Sequence, residues 1–320
     1  MSIDTKTLTA AEARAFQYDL GCWFCGYEER SPWLINSTFR PIAVEKWIRV
    51  EVLEDRNQHW ASRNLKNGLE LGSLLGSRPA KRNWDGHWRM QWRELISDEF
   101  KRRDYGLKIF IDISSMPRAI YGTLLIESCR TLLGKVSDIV LAYVPGIYRD
   151  RLSGRQQLDG LRGLAGLEGR SRYDAEPALL LGLGYDGVLA DTVVDLFQIE
   201  HFSCFYSDPG VNEESAERCR TENNELLQHA ELVEPASIRD ITTTIRAINR
   251  LASWYVHQRD IILLPIGPKL QVAASIIAAI QEPRLGFRCL RTSVTRAIDV
   301  GVESGTIPIY AHISLAQNRN

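Results

Sequence analysis

The chain reads as an α/β protein built from two tandem Rossmann-like halves with mainly parallel sheets, related by a pseudo-two-fold. Three observations predict this. Strand and helix signals alternate along most of the sequence, the pattern that places helices on both faces of a parallel sheet. At 320 residues the chain exceeds the usual size of one core. Landmarks near residues 26, 57 and 118 recur in the same order near 184, 212 and 269.

In the first half, strand signals run over Cys22–Tyr27, Trp47–Leu53, Leu107–Ile113 and Ser137–Val144, with helical text clearest over Pro117–Leu133. In the second, Ala178–Leu183, Phe202–Tyr206 and Ile261–Pro265 read as strands. Gly187–Phe197, Glu213–His229, Ile241–Trp254 and the Ala- and Ile-rich Lys269–Ile280 read as helices. Tyr148–Arg172, rich in Gly, Arg and Leu, reads as an exposed connection. The expected division is therefore 1–150, a connection over 151–172, and 173–320, with a Trp/Arg-rich insertion at 67–92. In that insertion Trp84, Trp88 and Trp92 follow helical spacing, which favours a packed helix face over a base-stacking platform, with a partner surface as the functional alternative.

Composition limits the function classes. Apolar residues make up 44% and charged residues 25%, with a formal net charge of −1, so no global field draws the chain to nucleic acid or an acidic membrane. No apolar run reaches the roughly 18 residues of a membrane span, and the polar, helix-prone Met1–Ala15 has no signal-peptide core. A cytoplasmic location is expected, without membrane partners. The six cysteines are scattered, and Cys22-x-x-Cys25 lies in strand-like text without a second pair or a histidine cluster. Core cysteines are expected, with no metal and no cofactor. Walker A, HExxH, GxSxG and EF-hand patterns are absent, and the histidines form no triad.

The repeat carries the candidate chemistry. Gly26-Tyr27-Glu28 closes the first strand of one half, and Gly184-Tyr185-Asp186 closes that of the other. The second strands run on to Asn57 and Asn212. Asp112-Ile-Ser114-Ser115-Met-Pro-Arg118 matches Pro265-Ile-Gly267-Pro-Lys269, and the offsets of the three landmarks, 158, 155 and 151 residues, drift slowly. In open α/β sheets, ligands bind outside the carboxyl ends of the strands. Pro117 and Pro268 suit a helix start, where N–H groups and the helix dipole favour an anion. A cation there opposes the dipole unless an anion is present, so Arg118 and Lys269 point to phosphate. The competing reading pairs them with Glu28 and Asp186. The acids could also bind ribose hydroxyls, and Tyr27 and Tyr185 could stack on a base or pack. Gly182-x-Gly184-x-x-Gly187 matches the dinucleotide pattern only in part.

At these residues the layout resembles the CARF and SAVED families, Rossmann-like sensors of cyclic oligonucleotides in prokaryotic antiviral defence. Those domains place a Gly- or Ser-rich turn and a Lys or Arg at the helix start after a strand, and SAVED proteins join two such halves. The resemblance implies a binding module holding a nucleotide or other phosphorylated ligand in a cleft between the halves and signalling to a separate protein effector, or assembling as a homo-oligomer. No fused effector is recognisable in the sequence. Two alternatives stand beside it. One is a ring-nuclease-like phosphodiesterase with Asp112, Ser114, Ser115 and Arg118 near the chemistry. The other is a structural subunit of a defence complex whose ancestral pocket is empty and whose Trp/Arg segment docks a partner. Nucleic acid binding through that segment is the less favoured reading.

Overall fold

In the computed structural model the described residues are 2–52, 58–74, 80–84, 87–103, 105–148, 156–170, 174–294 and 300–316. The chain forms two compact units, Met1–Arg149 with Asp299–Asn320, and Asp150–Ile298.

The first unit opens with strand β1 (Ser2–Leu8) and helix α1 (Ala10–Ala15), whose Thr9 and Glu12 form a reciprocal capping box. Then come β2 (Gln17–Phe24), α2 (Trp33–Asn36), β3 (Ala43–Val52), α3 (Gln58–Leu74), β4 (Ala80–Trp84), α4 (Trp88–Arg103), β5 (Leu107–Asp112), α5 (Arg118–Ile126), β6 (Val136–Tyr143) and the short β7 (Ile147–Tyr148). A π-helical turn, Glu127–Thr131, continues α5.

The second unit contains β8 (Gln156–Gly163), β9 (Pro177–Gly182), α6 (Gly187–Phe197), β10 (Phe202–Ser207), α7 (Glu213–Glu222), α8 (Asn224–His229), β11 (Val233–Ala236), α9 (Ile241–Tyr255), β12 (Asp260–Pro265), α10 (Lys269–Gln281) and β13 (Leu285–Val294). The chain then returns to the first unit with β14 (Val300–Gly301) and β15 (Ile309–Ala316).

Among the described residues the first sheet has the order β1-β15-β6-β5-β2-β3-β4, and the second β11-β10-β9-β12-β13-β8. Numbering only the parallel strands within each unit, β2, β3, β4, β5, β6 and β9, β10, β11, β12, β13 both give 3-2-1-4-5. That is the doubly wound Rossmann order, and the repeated grammar of the sequence is a repeated topology. Each unit adds an antiparallel strand beside its fifth, β15 on β6 and β8 on β13.

The parallel strands explain the apolar runs, since both their faces are covered. Leu8, Trp23, Leu34, Trp47, Phe110, Val140 and Tyr310 share one core in the first unit. Leu181, Ala190, Val193, Cys204, Cys219 and Leu264 share one in the second. Helix α10 is buried from Leu270 to Ile280, which accounts for its nearly all-apolar sequence.

Several expectations need correction. The last strand, assigned by sequence to the second half, belongs to the first sheet, where β15 pairs along both edges with β1 and β6. Residues 67–92 are no insertion: they carry the end of α3, the edge strand β4 and the start of α4. Within the stretch 148–172, expected as a bare connection, β8 pairs antiparallel with β13. The polar N-terminus begins as a strand before its helix. The single helix expected over Glu213–His229 breaks at Asn223.

Candidate functional site

The order 3-2-1-4-5 has its switch point between strands 1 and 4, hence between β2 and β5 in one unit and β9 and β12 in the other. The paired sequence landmarks leave those strands. In the first unit Trp23 sits opposite Asp112, and a β-carbon built on Gly26 would lie 3.5 Å from the Ser115 side chain. In the second, Gly182 sits opposite Pro265, and a β-carbon on Gly184 would lie 3.2 Å from Gly267. The Gly-Tyr-acid turn and the turn leading to the basic residue are thus adjacent within each unit. Arg118 and Lys269 are the first residues of α5 and α10, both half-buried, after Pro117 and Pro268, which supply no side-chain cap.

The first-unit turn is tightly knit. Asp112 accepts from the Ser114 N–H at 2.9 Å, and the buried Ser114 hydroxyl accepts from the Val144 N–H at 2.9 Å. Ser115 donates to the Phe24 carbonyl at 3.2 Å, which also accepts from Ser31 at 2.9 Å. Ser31 in turn accepts from the Gly26 N–H, and Asn67 of α3 donates to the Gly26 carbonyl at 2.8 Å. Glu28 binds Arg30, which is 2% exposed. Arg30, Ser31 and Asn67 were not singled out from sequence. Arg30 and Ser31 follow the Gly-Tyr-acid motif after Glu29, and that proximity is the available signal.

In the second unit Asp186 caps α6, accepting from the Leu189 N–H at 3.1 Å. The guanidinium of Arg218 lies 5.3 Å from the ring centre of Tyr185. The Gly184 carbonyl accepts from Asn223 at 2.8 Å and from the Cys219 thiol at 3.3 Å. Burial pushes that thiol up to about 12, with Arg220 opposing and Asp208 reinforcing, so Cys219 stays protonated and serves as a donor. Two further amides meet these turns. Asn223 is 2% and Gln271 3% exposed, and the carbonyl oxygen of each is buried without a hydrogen-bond partner. An orphaned buried acceptor costs about 1–3 kcal/mol. A β-carbon on Gly267 would fall 1.8 Å from that Gln271 oxygen and 2.6 Å from the Leu183 carbonyl, so only glycine fits there.

Of the remaining candidates, Asn212 caps α7 in a reciprocal box with Ser215 and is exposed. Asn57 lies outside the described residues. Trp88 and Trp92 are buried and stacked, with centroids 6.4 Å apart, while the side chain of Trp84 lies outside the described residues.

Acid–base pairs lie at the other ends of the strands. His312 bonds Asp138 at 2.8 Å near the start of β6, and His201 bonds Glu231 beside the start of β10. A groove of about 560 Å³ lined by Tyr18, Asp19, Val44, Tyr105 and Lys108 also lies at that edge of the first sheet. There Asp19 is held by Arg103, Tyr105 and the Lys108 N–H. Burial raises the thiols of Cys22, Cys129 and Cys204 as well, which disfavours a reactive thiolate at any of them. No group of three or more metal-ligating side chains occurs among the described residues.

Fold and site define a two-unit Rossmann-like α/β protein. No helix among the described residues is long and apolar enough to cross a membrane. No family model and no curated protein matches the sequence. Among solved structures there is similarity to one described as the adenylation, ketoreductase and pseudo Asub multidomain structure of a keto acid-selecting NRPS module. It is 10% identical, with a TM-score of 0.21 over 88% of this chain and 30% of that one. A likeness at that level carries no argument about function.

Proposed function

We propose that the chain binds a nucleotide or other phosphorylated ligand at the carboxyl ends of its parallel strands, as a sensing module of a prokaryotic antiviral defence system that signals to a separate effector. The observation that supports binding is the duplicated switch point: in each unit a Gly-Tyr-acid turn lies against a turn that ends in proline and opens a helix on a cation. Helix N–H groups, the dipole and one Arg or Lys together favour phosphate. The defence role and the cyclic oligonucleotide class come from the resemblance to the CARF and SAVED families.

Binding is favoured over phosphodiester cleavage by one feature. The Ser114 and Ser115 hydroxyls and the Asp112 carboxylate are engaged with backbone groups of the first-unit turns, and the histidine–carboxylate pairs lie at the opposite strand ends. Calorimetric titration with cyclic and linear oligonucleotides, followed by product analysis, tests the proposal. Saturable binding without turnover is expected. Arg118→Ala and Lys269→Ala should each weaken binding roughly tenfold or more, the scale of a lost charge-assisted hydrogen bond, with stability changed by about 0.5 kcal/mol or less. Turnover would replace the sensor with a phosphodiesterase. Absence of any binding, or large stability losses in both variants, would overturn the site.

A further inference from the structure

We infer that the second unit's crevice selects ligands that carry hydrogen-bond donors beside their phosphate, with Gln271 and Asn223 as the specificity-determining residues. This rests on the phosphate-binding reading and assigns the chemistry of its partner. The Gln271 and Asn223 oxygens are buried acceptors without a partner, and both belong to the shell of the Gly184 and Gly267 turns. Gln271 lies in the first turn of α10, two residues beyond Lys269, so a group reaching its oxygen shares the helix start with a bound phosphate.

The surroundings are acceptor-rich. The Leu183 carbonyl borders the same point beside Gly267 as the Gln271 oxygen. Acceptors converging on one place are completed by donors, such as the hydroxyls of a sugar or the N–H groups of a base. Phosphate alone, which accepts, leaves them unmet. A site built to hydrogen-bond a hydroxyl rejects an analogue lacking it far more strongly than a hydrophobic pocket rejects an extra methylene. Both amide oxygens are shut off from solvent, and the Gln271 oxygen lies against Gly267, so engaging it requires the two glycine turns to part.

The test is calorimetry on the full chain with inorganic phosphate, n-butyl phosphate and ribose 5-phosphate. The wild-type protein should bind ribose 5-phosphate at least tenfold more tightly than butyl phosphate. Hydrogen exchange at 183–185 and 266–271 should respond to the sugar phosphate and not to the alkyl one. Gln271→Met, which keeps the chain length and removes the acceptor, should abolish the preference while leaving inorganic phosphate affinity unchanged. Lys269→Ala should weaken all three probes together. Equal affinity of wild type for the two organic phosphates overturns the inference and leaves phosphate binding standing, and it needs no variant to fold. Equal weakening of every probe by Gln271→Met makes the residue structural and overturns it too. Failure of wild type to bind any probe overturns the phosphate reading itself.

Discussion

Glu127 is wholly buried, and two arginines of α4 reach it: Arg89 through Nε at 2.7 Å, and Arg93 on its other oxygen. The two arginine side chains are 41% and 42% exposed. Because burial is this unequal, the two ways of breaking the network differ. Glu127→Gln removes the charge but keeps the shape, and the arginines turn to water; the expected loss is about 1 kcal/mol. Arg89→Ala with Arg93→Ala strands a buried carboxylate, for which breaking a buried pair costs about 3–5 kcal/mol, taken at its lower end because the lost partners are half in solvent. At about 2–4 °C per kcal/mol for a domain of this size, the midpoint falls by roughly 6–12 °C. Burial by itself raises the Glu127 carboxyl, but hydrogen bonds from Arg93, Arg89 and Thr131 and the charge of Arg89 outweigh it, and the group is held below the usual carboxylate range. In the wild type its contribution is therefore present above the unfolded value, about 4.3, and lost as pH falls through the lower folded value. In the double variant burial is opposed only by the Thr131 hydrogen bond, the folded value rises, and stability is lost as pH rises. Urea melts of wild type, both variants and the triple combination between pH 4 and 8 would check this, the triple recovering most of the double variant's loss. A double variant no less stable than Glu127→Gln, or one with the wild-type pH trend, would refute the reasoning.

Three further outcomes are expected. Gly187→Ala places a β-carbon 1.8 Å from the Glu222 carbonyl oxygen, so the end of α7 must shift; chemical denaturation should show a loss of about 1–3 kcal/mol. Asn212→Ala should lose about 1 kcal/mol through its helix cap and leave phosphate affinity unchanged by calorimetry, whereas a loss of affinity would return Asn212 to the binding site. Burial raises the Asp138 carboxyl, but hydrogen bonds from His312 and Ser137 and the charges of His312 and Lys108 bring it below its ordinary value. Its stabilisation is thus present above the unfolded value near 3.9 and lost as pH falls through the lower folded one. Melting curves of wild type and Asp138→Asn should differ at pH 7 and converge near pH 3.

Legibility from sequence followed burial. The strands at the centre of each sheet, covered on both faces, announced themselves as apolar runs, and Gly187–Phe197 was read to the residue. Edge elements carried no such signal. β4 reads Ala-Lys-Arg-Asn-Trp, β8 is broken by glycines, and β1 alternates weakly, because an edge strand with a solvated face needs few apolar residues. The return of β15 to the first sheet depends on pairing partners 166 to 176 residues away in β6 and further still in β1, which local periodicity does not encode. At the candidate site, short motifs at strand ends marked the turns correctly, since glycine and proline are demanded by local geometry. Asn223 and Gln271 escaped notice because their significance lies in what surrounds them in space: one sits at a helix break and the other within an apolar helix.

The small β7–β14 ladder has a practical consequence. It pairs Tyr148 with Val300 and Ile147 with Gly301, so the chain leaves the first unit and re-enters it at neighbouring positions, with the whole intervening stretch strung between them. A two-residue turn joining Tyr148 to Val300 would convert that ladder into an ordinary hairpin and preserve every strand of the first sheet. Excising the second unit in this way would yield a contiguous first unit, on which the Arg118 turn can be assayed by itself.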